Sequence, residues 1–240
     1  MEVLLDKEIK DPYLNIAIDY SLVRIATPPL LRIWINDKSV VLGVMSAITD
    51  EVHLSYVNKA KIKLVRRFSG GGTVYHDNGV LNYSVITFCS DYDVNKLYAN
   101  LLQGIVNAFH SLGIKTEIRN DTDIVYSNKK ICGNSAYLSG KKCLLHGSIL
   151  LNADINEMYK SLVIPPRKVR QNIDMVKYRP ANLTDFIRVN REQLIDKIIS
   201  SYSSWFGEGY QIRTYHEQEM YLANEYVEKF KSNKFIFSRI

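Results

Sequence analysis

Arg66-Arg67-Phe68-Ser69-Gly70-Gly71-Gly72-Thr73-Val74-Tyr75-His76-Asp77 places two fixed cations, three consecutive glycines and a His-Asp pair in one short run. Glycines let the main chain take left-handed turns and let a ligand approach the backbone closely. Successive N–H groups in such a turn converge on an anion, and arginine adds charge and forked donors. The run therefore reads as an anion-binding loop rather than an ordinary hairpin turn. A second set is Asp123-Ile124-Val125-Tyr126 followed by Lys129-Lys130-Ile131-Cys132-Gly133-Asn134-Ser135-Ala136. In a regular strand Lys130, Cys132 and Asn134 share one face, while Lys129, Ile131 and Gly133 share the other. A lysine beside small residues can approach a phosphate as a compact point charge. His146-Gly147-Ser148 is a third set, although a lone histidine in an apolar strand more often belongs to the core than to a site.

These residues need elements to hold them. Ile62–Val65 and Leu81–Ile86 read as strands on either side of the glycine loop. Leu30–Ile35 alternates, with Leu31, Ile33 and Ile35 on one face and Arg32 and Trp34 on the other, and Ser39–Val44 reads as another strand. Asn15–Ala26 carries apolar residues at helical spacing, with Pro12 just ahead of it. Asp50–Lys59 reads as one short helix capped by Asp50. Asn95–Leu112 is a longer helix with Leu97, Leu101, Ile105, Ala108 and Leu112 on one side and Gly113 as its stop. Short extended segments follow at Lys115–Ile118, Asp123–Val125 and Lys129–Ala136, and Cys143–Asn152 reads as a buried strand. Asp154–Leu162, Arg191–Phe206 and His216–Lys231 read as helices. Arg167–Arg179 carries five Lys or Arg residues without periodicity and reads as a loop ordered by ligand. Strands and helices do not alternate regularly, so a doubly wound parallel sheet is not expected. The expectation is one α+β domain spanning 1–240, with a mixed or mostly antiparallel sheet flanked by helices.

Composition narrows the function classes. The chain has 240 residues, 46% of them hydrophobic and 23% charged, with a net charge of +6, in the ordinary globular range. The basic residues form no long arm and match no nucleic-acid-binding motif, so a nucleic-acid partner is not expected. No stretch approaches the roughly 20 apolar residues of a membrane span, and no signal peptide is evident. Three widely spaced cysteines, Cys89, Cys132 and Cys143, argue against a disulfide framework or a zinc site and fit a reducing cytoplasm.

Taken in order, the motifs resemble those of the lipoate–protein ligase A family. That family's Arg-Arg-x-Ser-Gly-Gly-Gly, Val-Phe/Tyr-His-Asp and Asn-Tyr/Phe-Ser/Thr elements recur from Arg66 to Ser84. Its invariant-lysine element recurs from Lys130 to Ala136 with a one-residue difference in spacing. Its His-Gly-Ser/Thr element is His146-Gly147-Ser148, and its Asn-Leu-Thr element is Asn182-Leu183-Thr184. The resemblance implies the fold of biotin–protein ligases and class II aminoacyl-tRNA synthetases. It implies a ligase that activates lipoate with ATP to lipoyl-AMP, then transfers the lipoyl group to a lysine of a lipoyl domain. The acceptors implied are the acyltransferase subunits of 2-oxoacid dehydrogenases or the H protein of glycine cleavage.

By the same resemblance Lys130 is the catalytic residue, contacting the α-phosphate and the carboxyl oxygen. Nucleotide and acyl group would be bound by Arg67, Gly70, Gly71, Gly72, Thr73, Val74, Tyr75, His76, Asp77, Gly133, His146 and Asn182. Magnesium would bridge the phosphates, and no carboxylate in the sequence declares itself as its ligand. Three departures stand out. Gly43-Val44-Met45-Ser46-Ala47 keeps only the glycine of a Gly-Arg-x-Gln-Asn element, Val80 stands where many relatives have Asn, and Cys132 stands where a small polar residue is usual. Many bacterial members continue into a C-terminal accessory domain, which others encode as a separate chain; the expectation here is a catalytic domain without that accessory domain, working with a separate accessory subunit. A transferase using a cysteine thioester is the nearest alternative, with Cys132 the cysteine nearest the motif, but such enzymes tend to read Gly-Gly-Arg where this loop reads Gly-Gly-Gly. A biotin–protein ligase would carry a Gly-Arg-Gly-Arg loop. A non-catalytic nucleotide- or nucleic-acid-binding module would not need Lys130 together with the whole loop.

Overall fold

A computed structural model describes residues 1–6, 8–89, 93–164 and 174–238. Its centre is an eight-stranded mixed sheet in the order β11-β1-β2-β6-β10-β9-β8-β7. The strands are β1 (Glu2–Leu5), β2 (Leu30–Trp34), β6 (Val80–Phe88), β7 (Glu117–Arg119), β8 (Asp123–Tyr126), β9 (Lys129–Ser139), β10 (Lys142–Leu150) and β11 (Gln211–Arg213). Only the β1–β11 and β1–β2 pairs are parallel; the rest of the sheet is antiparallel. A smaller sheet, β4-β3-β5, is built from β3 (Ser39–Leu42), β4 (Lys63–Arg66) and β5 (Val74–His76).

Helices cover both faces of the large sheet. On one face α4 (Val94–Ser111) and α6 (Arg191–Phe206) pack over Leu31, Ile33, Tyr83, Val85 and Leu145. On the other, α1 (Pro12–Ile25) and α7 (Glu217–Lys231) pack over Leu30, Trp34, Ile86 and Leu144. The alternation seen in Leu30–Ile35 is therefore a choice between two interiors, and Arg32 and Trp34 are as buried as their neighbours. The sheet and flanking helices agree with the α+β expectation.

Local differences have physical causes. The first helix begins at Pro12, because Asp11 accepts hydrogen bonds from the N–H groups of Tyr13 and Leu14 and caps it. Residues 50–59 do not form one helix. They divide into α2 (Ile48–Glu51) and α3 (Leu54–Lys59), and Asp50 lies inside α2 rather than capping it. The break falls where Val52 bridges Leu162, the residue that follows α5 (Ile155–Ser161). Of the expected loop Arg167–Arg179, residues 167–173 lie outside the described residues, while Met175–Tyr178 forms a 3-10 turn. Among the described residues no helix is long and apolar enough to cross a membrane.

Candidate active site

Strand pairing alone places a row of polar side chains on one face of the large sheet. Arg32 pairs with Ser84, Trp34 with Asn82, His146 with Ser84 and Ser135, and Ser148 with Asn82 and Gly133. Directly paired residues point to the same face. The face opposite α4 and α6 therefore carries Arg32, Trp34, Asn82, Ser84, Gly133, Ser135, His146 and Ser148. The small sheet and the glycine loop close over this floor.

Lys130 reaches the floor through a β-bulge. Asp123 pairs with Gly133 and Ile124 with Cys132, but Val125 pairs with Lys130, leaving Ile131 as the extra residue. The bulge reverses the alternation expected of a regular strand: Lys130 shares the Gly133 face and parts company with Cys132. Its Nζ lies 2.7 Å from Asp123 Oδ1, with Asp123 itself buried. A Cβ on residue 133 would lie 2.7 Å from that Nζ, so glycine is what leaves room for the lysine. Cys132 instead sits in the core beneath α4 and α6, fully buried. Burial, with little relief from Lys130, pushes its thiol up to about 12, so it is no thiolate at neutral pH.

The two arginines donate to the backbone around the glycine loop. Arg67 donates from Nε to Ser69 Oγ (3.0 Å), from Nη1 to the Val41 carbonyl (3.1 Å), and from Nη2 to the carbonyls of Gly70 and Gly72 (2.8 Å for Gly72). It thus binds the back of the glycine loop while bordering the cleft. Burial lowers its pKa to about 10, against a partly offsetting pull from Glu51. Arg66 is fully buried and holds the carbonyls of Gly43 (2.7 Å), Ser46 (2.9 Å) and Ile236 (2.7 Å). The pair thus braces backbone, Arg67 from the edge of the cleft and Arg66 from the interior. Within the loop only Gly71 has a left-handed backbone, with φ +82°.

His146 lies on the floor, and His76, from β5 of the small sheet, reaches it through Ser148. His76 Nε2 is 2.8 Å from Ser148 Oγ, which donates to Asn82 Oδ1 at 2.8 Å. Its Nδ1 is 3.0 Å from Asn36 Nδ2. Burial first, and then the charges of Arg67 and His146, lower its pKa to about 3; it is neutral, with the proton assigned to Nε2 by this network. His146 Nε2 lies 2.6 Å from Ser69 Oγ, and its Nδ1 lies 3.2 Å from Asp19 Oδ2. Asp19 also accepts from Ser84 Oγ (2.7 Å) and Arg32 Nη1 (2.8 Å). Burial opposes its ionisation, but the His146 hydrogen bond and Arg32 outweigh it and hold the carboxyl below its ordinary value.

The lining divides into two connected parts. One runs from Ile16, Trp34 and Val41 past His76 and His146 to Gly71 and Lys130. The other runs from Gly72, Thr73, Val74, Tyr75, Lys130 and Gly133 to an apolar wall that includes Leu150, Met158 and Leu162. Three predicted residues lie off both. Gly70 is tied from behind by Ser135 Oγ at 2.9 Å. Asp77 accepts from the N–H groups of Gly79 (2.8 Å) and Asp154 (2.9 Å). Asn182 pairs its carboxamide with the backbone of Ala153 at 2.7 and 3.0 Å. These three shape the walls from outside.

Sequence reasoning missed Glu51, whose carboxylate accepts from Thr73 N–H (2.7 Å) and Thr73 Oγ1 (2.6 Å) inside the cleft. Its position in a broken helix carried no signal. Asp123 could have been found, because it stands in a strand just before the lysine strand. Among the described residues no three His, Cys, Asp or Glu side chains cluster as a metal site; Glu51 and Asp123 are the acids placed at the cleft.

Residues 11–203 match the lipoyl protein ligase A/B catalytic domain family. The chain belongs to that family. It is 31% identical over 212 residues to lipoate-protein ligase A subunit 1 of Thermoplasma acidophilum, covering 84% of this chain and 81% of that protein. Its fold matches the structure described as a bi-partite lipoate protein ligase and its E2 lipoyl domain from T. acidophilum, with a TM-score of 0.89, 28% identity, and coverage of 100% of this chain and 96% of that one. A lipoate-protein ligase A bound with ATP matches with a TM-score of 0.89 and 28% identity over all of both chains. The chain spans 58% of the length of lipoate–protein ligase 1 of Staphylococcus aureus, to which it is 34% identical over 192 residues.

Proposed function

We propose that residues 1–240 act as the catalytic subunit of a lipoate–protein ligase. Lipoate carboxylate attacks the α-phosphorus of ATP, giving lipoyl-AMP and releasing pyrophosphate. The amine of a lysine on a lipoyl domain then attacks the acyl carbon, giving an amide and AMP. The observation that carries this reading is Lys130: a cation fixed by Asp123 where the glycine loop, the polar floor and the apolar wall meet.

A carboxylate is already ionised at neutral pH, so the first step needs no enzyme base. It needs the two anions held together and the charge growing on the phosphate neutralised. Lys130 supplies that charge. The neutral His76 adds none and, with Trp34 and Ile16, makes a wall suited to an acyl chain. Arg67 acts behind the loop, fixing carbonyls so that the opposite edge of the loop is preorganised for ligand. Magnesium accompanies ATP and needs only one or two protein carboxylates beside the phosphates; Asp123 and Glu51 are the acids in place to serve, and when bound the ion neutralises phosphate charge.

The acceptors in this reading are lipoyl domains of 2-oxoacid dehydrogenase acyltransferase subunits or the glycine-cleavage H protein. A separate accessory subunit is part of it, supported by the match to a bi-partite ligase. Setting is cytoplasmic. A thioester route through Cys132 is disfavoured, since its thiol is core-buried and on the face away from Lys130.

The test supplies ATP, magnesium and lipoate to the chain, with and without an accessory subunit, and follows mass gain on an acceptor lipoyl domain. The expected result is one lipoyl group per acceptor, dependent on ATP and on the accessory subunit. Lys130→Ala should remain folded and lose about 3 kcal/mol or more of transition-state stabilisation, over a hundredfold in rate. Near-normal lipoate-dependent ATP–pyrophosphate exchange in that variant would remove Lys130 from its role, and transfer without ATP would replace the ligase reading with the transferase.

A further inference from the structure

His76 borders the cleft with both ring nitrogens engaged, and the groups that engage them lead back to one buried cation. Which nitrogen carries the proton is decided along that path. Arg32 is fully buried and paired with Asp6 and Asp19. A guanidinium can only donate, so the Asn15 atom that meets its Nη2 must be the carboxamide oxygen. The amide nitrogen of Asn15 faces the carbonyls of Ile9 (3.2 Å) and Ile35 (3.0 Å), which only accept. Asn15 is therefore fixed at both ends.

Asn15 Nδ2 also donates to Asn36 Oδ1 at 2.9 Å, which leaves Asn36 with its amide nitrogen towards the ring. Asn36 Nδ2 lies 3.0 Å from His76 Nδ1. Turning Asn36 over would set two amide nitrogens against each other at Asn15. His76 Nδ1 must then accept, and the ring proton sits on Nε2, which donates to Ser148 Oγ at 2.8 Å. Ser148 Oγ donates in turn to Asn82 Oδ1 at 2.8 Å. Every step runs away from Arg32. Asn15, Asn36 and Asn82 are fully buried, so water does not compete for these bonds and the low polarity around them strengthens each one.

A ring held in this way has neither a lone pair nor an N–H left for a ligand. What it can offer the cleft is carbon, beside Ile16 and beside Trp34, whose ring it meets edge-on at 6.2 Å between centres. A proton on Nδ1 would point at the N–H groups of Asn36. The charged groups that face the ring, Arg67 and His146, also oppose a second proton.

We propose that Asn36 is a positioning residue, oriented by Arg32 through Asn15, that keeps the proton off His76 Nδ1 and so makes His76 an apolar wall for the acyl chain. This rests on the ligase reading and adds to it a residue that acts through another, outside the cleft, to select an apolar acyl group.

The test is Asn36→Asp, which keeps the side-chain shape, still accepts from Asn15, and presents an acceptor to His76 Nδ1 in place of a donor. Nitrogen NMR of the full chain, isotope-labelled at histidine, reads which ring nitrogen is protonated. The expected result at pH 7 is a neutral Nε2–H ring in the wild type and a proton on Nδ1 in the variant. Calorimetric affinity for lipoate should fall about tenfold in the variant, because the chain then lies against a polar ring, while affinity for MgATP is unchanged. A wild-type ring protonated on Nδ1 would overturn the proposal, with no variant needed. So would a variant that carries the Nδ1 proton and binds lipoate as well as the wild type, and so would equal losses for lipoate and MgATP, which would make Asn36 structural. If Asn36→Asp does not fold, Asn36→Ala replaces it: Nδ1 should then become protonated by pH 5, and a ring unchanged from pH 7 to 5 would overturn Asn36 as its determinant. Wild-type protein that does not bind lipoate would sink the ligase reading, and the acyl wall with it, whichever nitrogen carries the proton.

Discussion

His76 shows what the site asks of a single residue. A cation there would compete with Lys130 for the same anions, and the protein avoids it by burial and by a network that fixes the neutral ring. The consequence is a pH dependence of stability with a definite sign. An unfolded histidine titrates near 6.5, whereas His76 in the fold titrates at about 3. Between those values the unfolded chain binds a proton that the native protein does not, so stability rises with pH across the window. The contribution is complete above about pH 6.5 and shrinks as pH falls, by about 2 kcal/mol between pH 6.5 and 5. Melting temperature measured against pH should show this acid limb in the wild type and a shallower one in His76→Gln. Superimposable limbs would show that His76 is not its source.

At the scale of elements, Glu51 is a strut between three pieces of chain. It is the last residue of α2, its side chain holds Thr73 at the end of the glycine loop, and its carbonyl accepts from Val163 N–H at 3.0 Å. Removing it leaves the half-buried Thr73 N–H without its carboxylate partner and lets the loop part from the wall that Leu162 and Val163 begin. Glu51→Ala should cost about 1–2 kcal/mol of stability, as expected for a charge-assisted hydrogen bond between a buried carboxylate and a half-buried donor. On the proposed reading, in which Thr73 holds nucleotide, it should also raise the KM for ATP more than the KM for lipoate; equal changes in the two constants would make Glu51 merely structural. The sequence carried the loop, Lys130 and the His146 strand because each sits in a compact motif of unusual residue types. It could not carry Glu51, which meets Thr73 only after the fold brings α2 to the loop. Nor could it carry the bulge at Ile131, since strand alternation is read on the assumption of regular pairing. Arg67 is the instructive case: its position beside the loop was legible, but whether its guanidinium faced ligand or carbonyls depended on the Val41, Gly70 and Gly72 carbonyls closing behind it. Arg32 was similar, its burial hidden because both faces of its strand are interior.

The whole molecule is tied together by buried charge that runs from its C-terminal elements to the site. Tyr215 and Asp6 meet Arg32; Arg32 meets Asp19; Asp19 meets His146, and His146 meets Ser69 of the glycine loop. A second tie is Arg66, which joins the carbonyl of Ile236, at the end of α8 (Asn233–Ile236), to those of Gly43 and Ser46. Those two residues belong to the turn on which the loop rests, since Ser46 Oγ also approaches the Gly71 carbonyl at 3.4 Å. Each tie makes the loop's geometry depend on elements far from it in sequence. Arg66→Met tests the second. It fills much of the same volume but leaves several buried carbonyls without a donor, at a cost of roughly 3 kcal/mol or more. For a chain of this length that corresponds to a fall of about 6–12 °C in melting temperature. If Arg66 only stabilised the fold, activity measured well below the transition would survive. Because it also fixes the floor of the glycine loop, the KM for nucleotide should rise at 20 °C, where the variant is still folded by circular dichroism. Unchanged kinetic constants at that temperature would confine Arg66 to stability and leave the loop independent of the C-terminal helix.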